Sequence, residues 1–520
     1  MELKQDQLTL EQKLGMCYCA RPLTEEDLAF TLELVKKRCV GSVQVPPRKP
    51  HFMQKIREVA DYPVILVCDT ETGFPGSEKQ AVPPMTLAAC DKDEIYEVFG
   101  KAIATDARKA GYNATWGPVV DVLYNGHGPI SVFRKISDDP KRVGEITEII
   151  CKVYKRNGYM SCGKHYPGGK RVGGDSHMGP TKAVFTVDDL LRDSLVPYKH
   201  LMERDLLPSI MTTHATYENI DPDNAGTMSK KIQGIIREFG WDGVCWTDSF
   251  AMMAILQKYG EENVLGLAIA AGNDIVLPNY RTPVEVSWGH LMKNYADGMI
   301  SQERLEEAVR RVLKLMNNLA KIPECVDVFT EEDQKLYDSI AKECITAVCD
   351  EGVSAQLDPD TKKLFVVMTP MDFNEEEELF ETTSAKWYFP KRIAEKIRAE
   401  FPDAKIEFIP EYASNKDNER VLVASSDCQD VVFVSFCETK AYLGTDCMTR
   451  RSEALINSFV RADKLAALVH FGNPFAVEPV FHNPRKIFGY TMPDSQLYAI
   501  DVLKGNCEAH GKLPFKVQLQ

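Results

Sequence analysis

The sequence predicts an α/β protein: a (β/α)8 TIM-like barrel over residues 1–325, a linker and first helix over 326–350, and a smaller α/β sandwich domain over 351–520. Three observations predict this. Short apolar runs alternate with amphipathic stretches, the pattern of a parallel sheet covered by helices. The runs recur at a spacing of about 30–45 residues, which suits an eight-fold barrel better than an open sheet. Titratable residues stand just past the C-terminal ends of the runs, where barrels build their active sites.

Taken in order, residues 8–19 begin a helical pattern, and Pro63-Val64-Ile65-Leu66-Val67-Cys68 reads as a buried strand ending in Asp69-Thr70-Glu71. A helix from Glu94 to Ala110 leads to Asn113–Asp121, and another from Pro140 to Arg156 leads to Lys164-His165. A helix starting near Val187 leads to Pro208–His214, and one over Ser229–Phe239 leads to Gly243–Asp248. The last cycle runs through Glu262–Ala271 to Asn273–Leu277, and a charged helix over Ser301–Leu319 closes the unit. Pro323 and Thr330-Glu331-Glu332-Asp333 mark the linker. Apolar runs at 363–368, 405–409, 430–435 and 465–470, with helices at Lys391–Phe401 and Ser452–Ala462, predict the second sheet.

With 62 basic and 76 acidic residues the net charge is −14, which argues against nucleic acid or an anionic membrane surface as partner. No apolar run approaches the ~20 residues of a membrane span, and the first residues show no secretory leader. The fifteen cysteines are scattered, several within apolar runs, and show no zinc spacing. A reduced, cytoplasmic setting is the expectation. No cofactor- or metal-binding motif is read, and monomer and homodimer both remain open.

The most informative stretch is Lys164-His165-Tyr166-Pro167-Gly168-Gly169-Lys170-Arg171-Val172-Gly173-Gly174-Asp175-Ser176-His177. Residues i and i+2 of an extended segment point the same way, so Asp175 and His177 can lie side by side. A carboxylate beside an imidazole fixes its tautomer and supports the imidazolium, as a general acid/base requires. Asp248, delivered by Val244-Cys245-Trp246-Thr247, is the candidate nucleophile. Singly, each such residue reads as a turn or cap. Asp69, Lys164, His165, His214 and Asp248 share one relative position, and with Arg134 they suit a polyhydroxylated ligand.

These residues resemble glycoside hydrolase family 3, in its β-N-acetylglucosaminidase branch, over most of residues 8–320. Asp69-Thr70-Glu71-Thr72-Gly73 is similar to the family's Asp-x-Glu-Gly-Gly, and Trp116-Gly117-Pro118-Val119-Val120-Asp121 to its Ala-Pro-x-x-Asp. Arg134 with Asp139-Pro140 fits the Arg-Ser-Phe-x-x-Asp-Pro segment. Lys164–Gly168 with Asp175-Ser176-His177 matches Lys-His-Phe-Pro-Gly followed by Asp-Ser-His. Met211-Thr212-Thr213-His214, Ile220-Asp221, Thr247-Asp248 and Ala271-Gly272-Asn273-Asp274 follow in the family's order. Gly169, Lys170-Arg171, Thr72 and Ser249 depart from its pattern.

The resemblance implies an exo-acting, retaining β-N-acetylglucosaminidase. Asp248 is then the nucleophile, Asp175–His177 the general acid/base, and Asp69, Asp121, Arg134, Lys164, His165 and His214 the substrate-binding set. The implied partner is a small GlcNAc-containing glycoside. A neutral histidine donor removes one negative charge from the acceptor side, and Lys170 and Arg171 lie close in sequence. Phosphate thus stands beside water as an acceptor, although the two cations read first as solvated surface charges. The alternatives are a β-glucosidase or β-xylosidase of the same family, a metal-dependent barrel hydrolase using His165, His214 and Asp248, and a non-catalytic carbohydrate-binding protein. The second domain receives no catalytic residue.

Overall fold

The protein was analysed as a computed structural model, which describes residues 2–124, 132–169, 171–172 (backbone alone), 174–321, 325–371, 373, 387–437 and 447–519. The chain divides into two compact units. One comprises Met1–Ala81, Tyr96–Tyr124 and Asp139–Asp333, the other Val82–Ile95, Asn125–Asp138 and Gln334–Gln520. Two excursions from the N-terminal part of the chain thus group with the C-terminal part.

The first unit contains two four-stranded parallel sheets. One consists of β1 (Cys19–Ala20), β2 (Ser42–Gln44), β3 (Ile65–Cys68) and β4 (Ala114–Thr115), in that spatial order. The other holds β5 (Gly163–Tyr166), β6 (Ser209–Thr212), β7 (Val244–Ser249) and β8 (Ile275–Leu277), again in sequence order. Isolated parallel bridges join Tyr18 to Val276 and Ala114 to Met160. β3 and β6 are buried along their whole length, as strands covered on both faces must be. Cys19, Cys162 and Cys245 are buried among these strands, and burial pushes their thiols up to about 12.

The helices between strands follow local rules. Asp139 caps Pro140–Arg156 by accepting from the Lys141 N–H, with Pro140 at the first turn. That helix buries Val143, Ile146, Ile150 and Val153, one apolar stripe, and packs on Val196–Met202. Ser229 caps Lys230–Glu238 and Ser301 caps Gln302–Leu319.

The second unit is built on one six-stranded sheet. Its strands are β9 (Thr346–Cys349), β10 (Lys363–Thr369), β11 (Lys405–Pro410), β12 (Asp430–Cys437), β13 (Leu465–Gly472) and β14 (Arg485–Tyr490), in the order β9-β14-β13-β12-β10-β11. All neighbours are parallel except β9 with β14. Among the described residues, no helix of the chain is long and apolar enough to cross a membrane.

Inside this sheet His470 is buried, with Nε2–H donating to the Asn473 carbonyl at 2.8 Å and Nδ1 accepting from the Ser435 hydroxyl at 2.8 Å. Burial lowers its pKa to about 4. The unfolded chain takes up a proton near pH 6.5 and the folded one only near 4, so stability is fully present above the first value and is lost as pH falls toward the second. About 2.5 units correspond to ~3 kcal/mol. Denaturant midpoints of the full chain at pH 7.5 and 4.5 are expected to differ by more than those of His470→Gln. An equal difference in both proteins would remove His470 from the account.

Candidate active site

β7 ends in Thr247-Asp248-Ser249, and the β-branched and aromatic residues before it keep the strand buried until the carboxylate emerges half-buried at its tip. The Ser249 N–H donates to Asp248 Oδ1 at 2.7 Å, and His165 Nε2 stands 3.9 Å from Oδ2. Burial would raise the Asp248 pKa. The charges of His165, His214 and Lys164 and the Ser249 N–H outweigh it, and the carboxyl is held below its usual range.

β5 supplies the neighbouring pair. The Lys164 ammonium, almost wholly buried, donates to Asp69 Oδ1 at 2.9 Å and lies 3.1 Å from Glu71 Oε2. His165 donates twice to Asp121: its backbone N–H to Oδ1 at 3.1 Å, and Nδ1–H to Oδ2 at 2.9 Å. A carboxylate only accepts, so Asp121 fixes the proton on Nδ1 and turns Nε2 toward Asp248.

His214, after β6, is held in the same manner. Its Nε2–H donates to the Ser249 carbonyl at 3.1 Å, Nδ1 pairs with the Thr227 hydroxyl at 2.8 Å, and the ring stacks on Phe250. Both ring nitrogens face protein, and the contact fixes the backbone next to Asp248.

Asp175 and His177 lie side by side as the i, i+2 spacing predicts. His177 Nδ1–H donates to Asp175 Oδ1 at 2.8 Å, and the His177 backbone N–H reaches the same oxygen at 2.9 Å. The Asp175 carboxylate is buried, and His177 is partly exposed. Their loop is anchored at both ends, since Arg171–Val172 and Lys182–Ala183 pair antiparallel, and Lys182–Ala183 then pairs with Thr216–Tyr217, just past His214. The loop also touches the segment after the nucleophile candidate: the Ala254 N–H donates to the Ser176 carbonyl at 3.3 Å.

The structure therefore groups Asp69, Lys164, His165, Asp121 and Asp248 through direct contacts, places His214 against Ser249, and seats the Asp175–His177 loop on residues 252–254. Asp121 and His214, read from the sequence as substrate-binding, hydrogen-bond His165 and Ser249. The sequence cannot show such partners. Arg134 belongs to the second unit. Lys170 and the Arg171 side chain lie outside the described residues. Glu71 was missed, although it stands two residues after Asp69, the spacing that singled out Asp175 and His177. Asp274, part of a motif grouped with the chemistry, is fully buried and accepts from Arg237, Arg311 and the Cys245 N–H, a packing role. Among the described residues no three His, Cys, Asp or Glu side chains are grouped as metal ligands.

Comparison with known proteins gives the family and the fold. A curated beta-hexosaminidase from Bordetella avium is 29% identical over 236 residues, 43% of this chain and 67% of that protein. One from Chromobacterium violaceum is 30% identical over 204 residues, 38% of this chain and 57% of its own length. The chain thus spans between half and two thirds of such relatives. The solved structure of a glycoside hydrolase family 3 beta-N-acetylglucosaminidase from Paenibacillus sp. str. FPU-7 has the same fold, with a TM-score of 0.79 at 21% identity over 99% of this chain and 100% of that one. The beta-glucoside phosphorylase BglX matches with a TM-score of 0.79 at 22% identity, over 98% and 94%. The profile described as "Glycosyl hydrolase family 3 N terminal domain" matches residues 32–315. With more than half of its length matched, the chain belongs to glycosyl hydrolase family 3.

Proposed function

We propose that the protein is a retaining exo-β-N-acetylglucosaminidase that removes terminal β-linked N-acetylglucosamine. One observation carries the reading: an ionised carboxylate at a strand tip, followed by a segment hydrogen-bonded to the loop that bears an aspartate–histidine couple. The names of the curated relatives support the hexosamine. We also propose that β1–β8 close into a (β/α)8 barrel, and the two bridges between the sheets support this.

In the proposed reaction Asp248 attacks the anomeric carbon while His177, as the imidazolium, protonates the departing oxygen from Nε2. The products of this step are a glycosyl–Asp248 ester and a neutral imidazole. The Nδ1–H bond to Asp175 leaves Nε2 as the bare nitrogen of that neutral ring, ready to take the proton of the acceptor. The acceptor attacks the ester carbon and releases Asp248. Lys164, with Asp69 and Glu71, and His165 are assigned to the sugar hydroxyls, and Asp121 and His214 to positioning. The negative charge left after donation sits on Asp175, behind the ring, so an anionic acceptor meets a neutral imidazole. We extend the proposal to phosphate as an acceptor competing with water.

The test is a panel of aryl β-N-acetylglucosaminides and aryl β-glucosides, each with and without inorganic phosphate. Preference for the hexosaminide is expected, with glycosyl phosphate formed when phosphate is present. Preference for the glucoside would move the chain to the β-glucosidase alternative. An unchanged rate and no glycosyl phosphate would end the phosphate extension.

A further inference from the structure

Arg21 follows β1 directly, at the same strand end as Asp69, Lys164 and Asp248. Its guanidinium stacks on the Tyr280 ring, 4.2 Å from the centroid, and Asp69 and Tyr280 are the electrostatic neighbours that favour its charge. Among the described residues Arg21 makes no ion pair or hydrogen bond, in a protein with 76 acidic and 62 basic residues. Arg21 is partly buried, and burial lowers its pKa. Arg281 stands over the same ring at 5.0 Å and donates from Nη1 to the Ala251 carbonyl at 2.8 Å.

Asp69 is an electrostatic neighbour of Arg21, both guanidinium groups lie over the Tyr280 ring, and Arg281 reaches Ala251, three residues past Asp248. The two guanidinium groups therefore stand near the segments that carry Asp69 and Asp248. Stacking occupies the faces of a guanidinium and leaves its in-plane N–H fork available for a planar or tetrahedral anion. An acidic group bound there supplies the ionic partner that Arg21 lacks among the described residues. Neither arginine is needed for attack by Asp248 or proton transfer by His177.

We propose that Arg21, supported by Arg281 and Tyr280, is a specificity residue that holds an acidic group, carboxylate or phosphate monoester, carried by the substrate. This rests on the glycosidase reading and adds a substrate class to it. Three probes separate the sources of the anion: an aryl N-acetylglucosaminide 6-phosphate, a carboxyphenyl N-acetylglucosaminide, and inorganic phosphate with a neutral aryl N-acetylglucosaminide. The readout is the ratio of kcat/KM for each acidic substrate to that for the neutral one, in the wild type, Arg21→Ala and Arg21→Lys.

A charge-assisted contact predicts that the ratio for at least one acidic substrate falls about tenfold or more in Arg21→Ala, with part of it kept in Arg21→Lys. Ratios that do not move in either variant overturn the proposal, as does an effect of Arg21 confined to the dependence on inorganic phosphate. Should Arg21→Ala fail to fold, Arg21→Lys and Arg21→Met decide the same ratio. A wild type that cleaves no glycoside of the panel refutes the glycosidase reading instead. In that case, tighter binding of N-acetylglucosamine 6-phosphate than of N-acetylglucosamine, lost in the Arg21 variants, still supports the anion site, and equal binding overturns it.

Discussion

Replacing Asp248 with asparagine will lower kcat/KM on aryl N-acetylglucosaminides by about 10⁴-fold or more, the scale seen when a member of a covalent catalytic set is removed. The amide cannot form the ester, and it also removes the negative charge that faces a developing oxocarbenium ion. Folding is expected to survive, because the Ser249 N–H can donate equally to an amide oxygen, and His165 and His214 are held by Asp121 and by the Ser249 carbonyl. The discriminating measurement is trapping: a 2-fluoro glycosyl substrate with a good leaving group should add one glycosyl mass to the wild type, on the peptide containing residue 248, and nothing to the variant. Ordinary turnover by Asp248→Asn would return the chain to a non-catalytic carbohydrate-binding role or another mechanism. Because His165, His214 and Lys164 hold the Asp248 carboxyl below its usual range, its ionisation should not limit kcat/KM above about pH 4. A limb in that profile near pH 5 must then come from another group.

His177→Ala is expected to cost about 10²–10⁴-fold, the range of a positioned general acid/base, and the loss should depend on the leaving group. A dinitrophenyl glycoside departs without protonation, so its first step is spared and the glycosyl–enzyme accumulates as a burst. A methyl glycoside needs the proton, and its turnover should vanish. Azide, a nucleophile that brings no proton, should restore the rate on the activated substrate and yield a glycosyl azide. Asp175→Asn acts through the ring. It removes the acceptor for Nδ1–H and should cost about 10²-fold with a changed pH profile. Loss that is equal across leaving groups, with no response to azide, would mean that the couple only shapes the loop.

Much of the fold is legible in the sequence where elements are long. Pro140–Arg156 is found at the predicted limits, and Gln302–Leu319 lies one residue inside them, because an apolar stripe and a capping residue mark each. β1 and β2 escape notice at two and three residues, too short to form a run. The helical pattern read over residues 8–19 stops at Met16, and β1 starts at Cys19. The small sheet that carries the Asp175–His177 loop is equally hidden, because the strands flanking the loop are two residues long and Lys182–Ala183 pairs with residues thirty-four positions away. For the site, residue type and strand-end position singled out Asp248, Lys164 and His165. Roles depend on partners: nothing in Val119-Val120-Asp121 says that the carboxylate will be taken up by a histidine forty-four residues later. The grouping of Val82–Ile95 and Asn125–Asp138 with the second unit left no compositional trace.

The tie between the Ser176 carbonyl and the Ala254 amide involves main-chain atoms alone. Ala254 lies in the first turn of the helix Met253–Tyr259, where N–H groups have no partner within the helix, so this turn lends a spare donor to the Asp175–His177 loop opposite it. Replacing the Ser176 side chain therefore leaves this tie in place, and so does any change at the buried Ala254 that its packing tolerates. A proline at 254 is the exception: first turns accept the ring readily, the helix would stand, and only the tether would be cut.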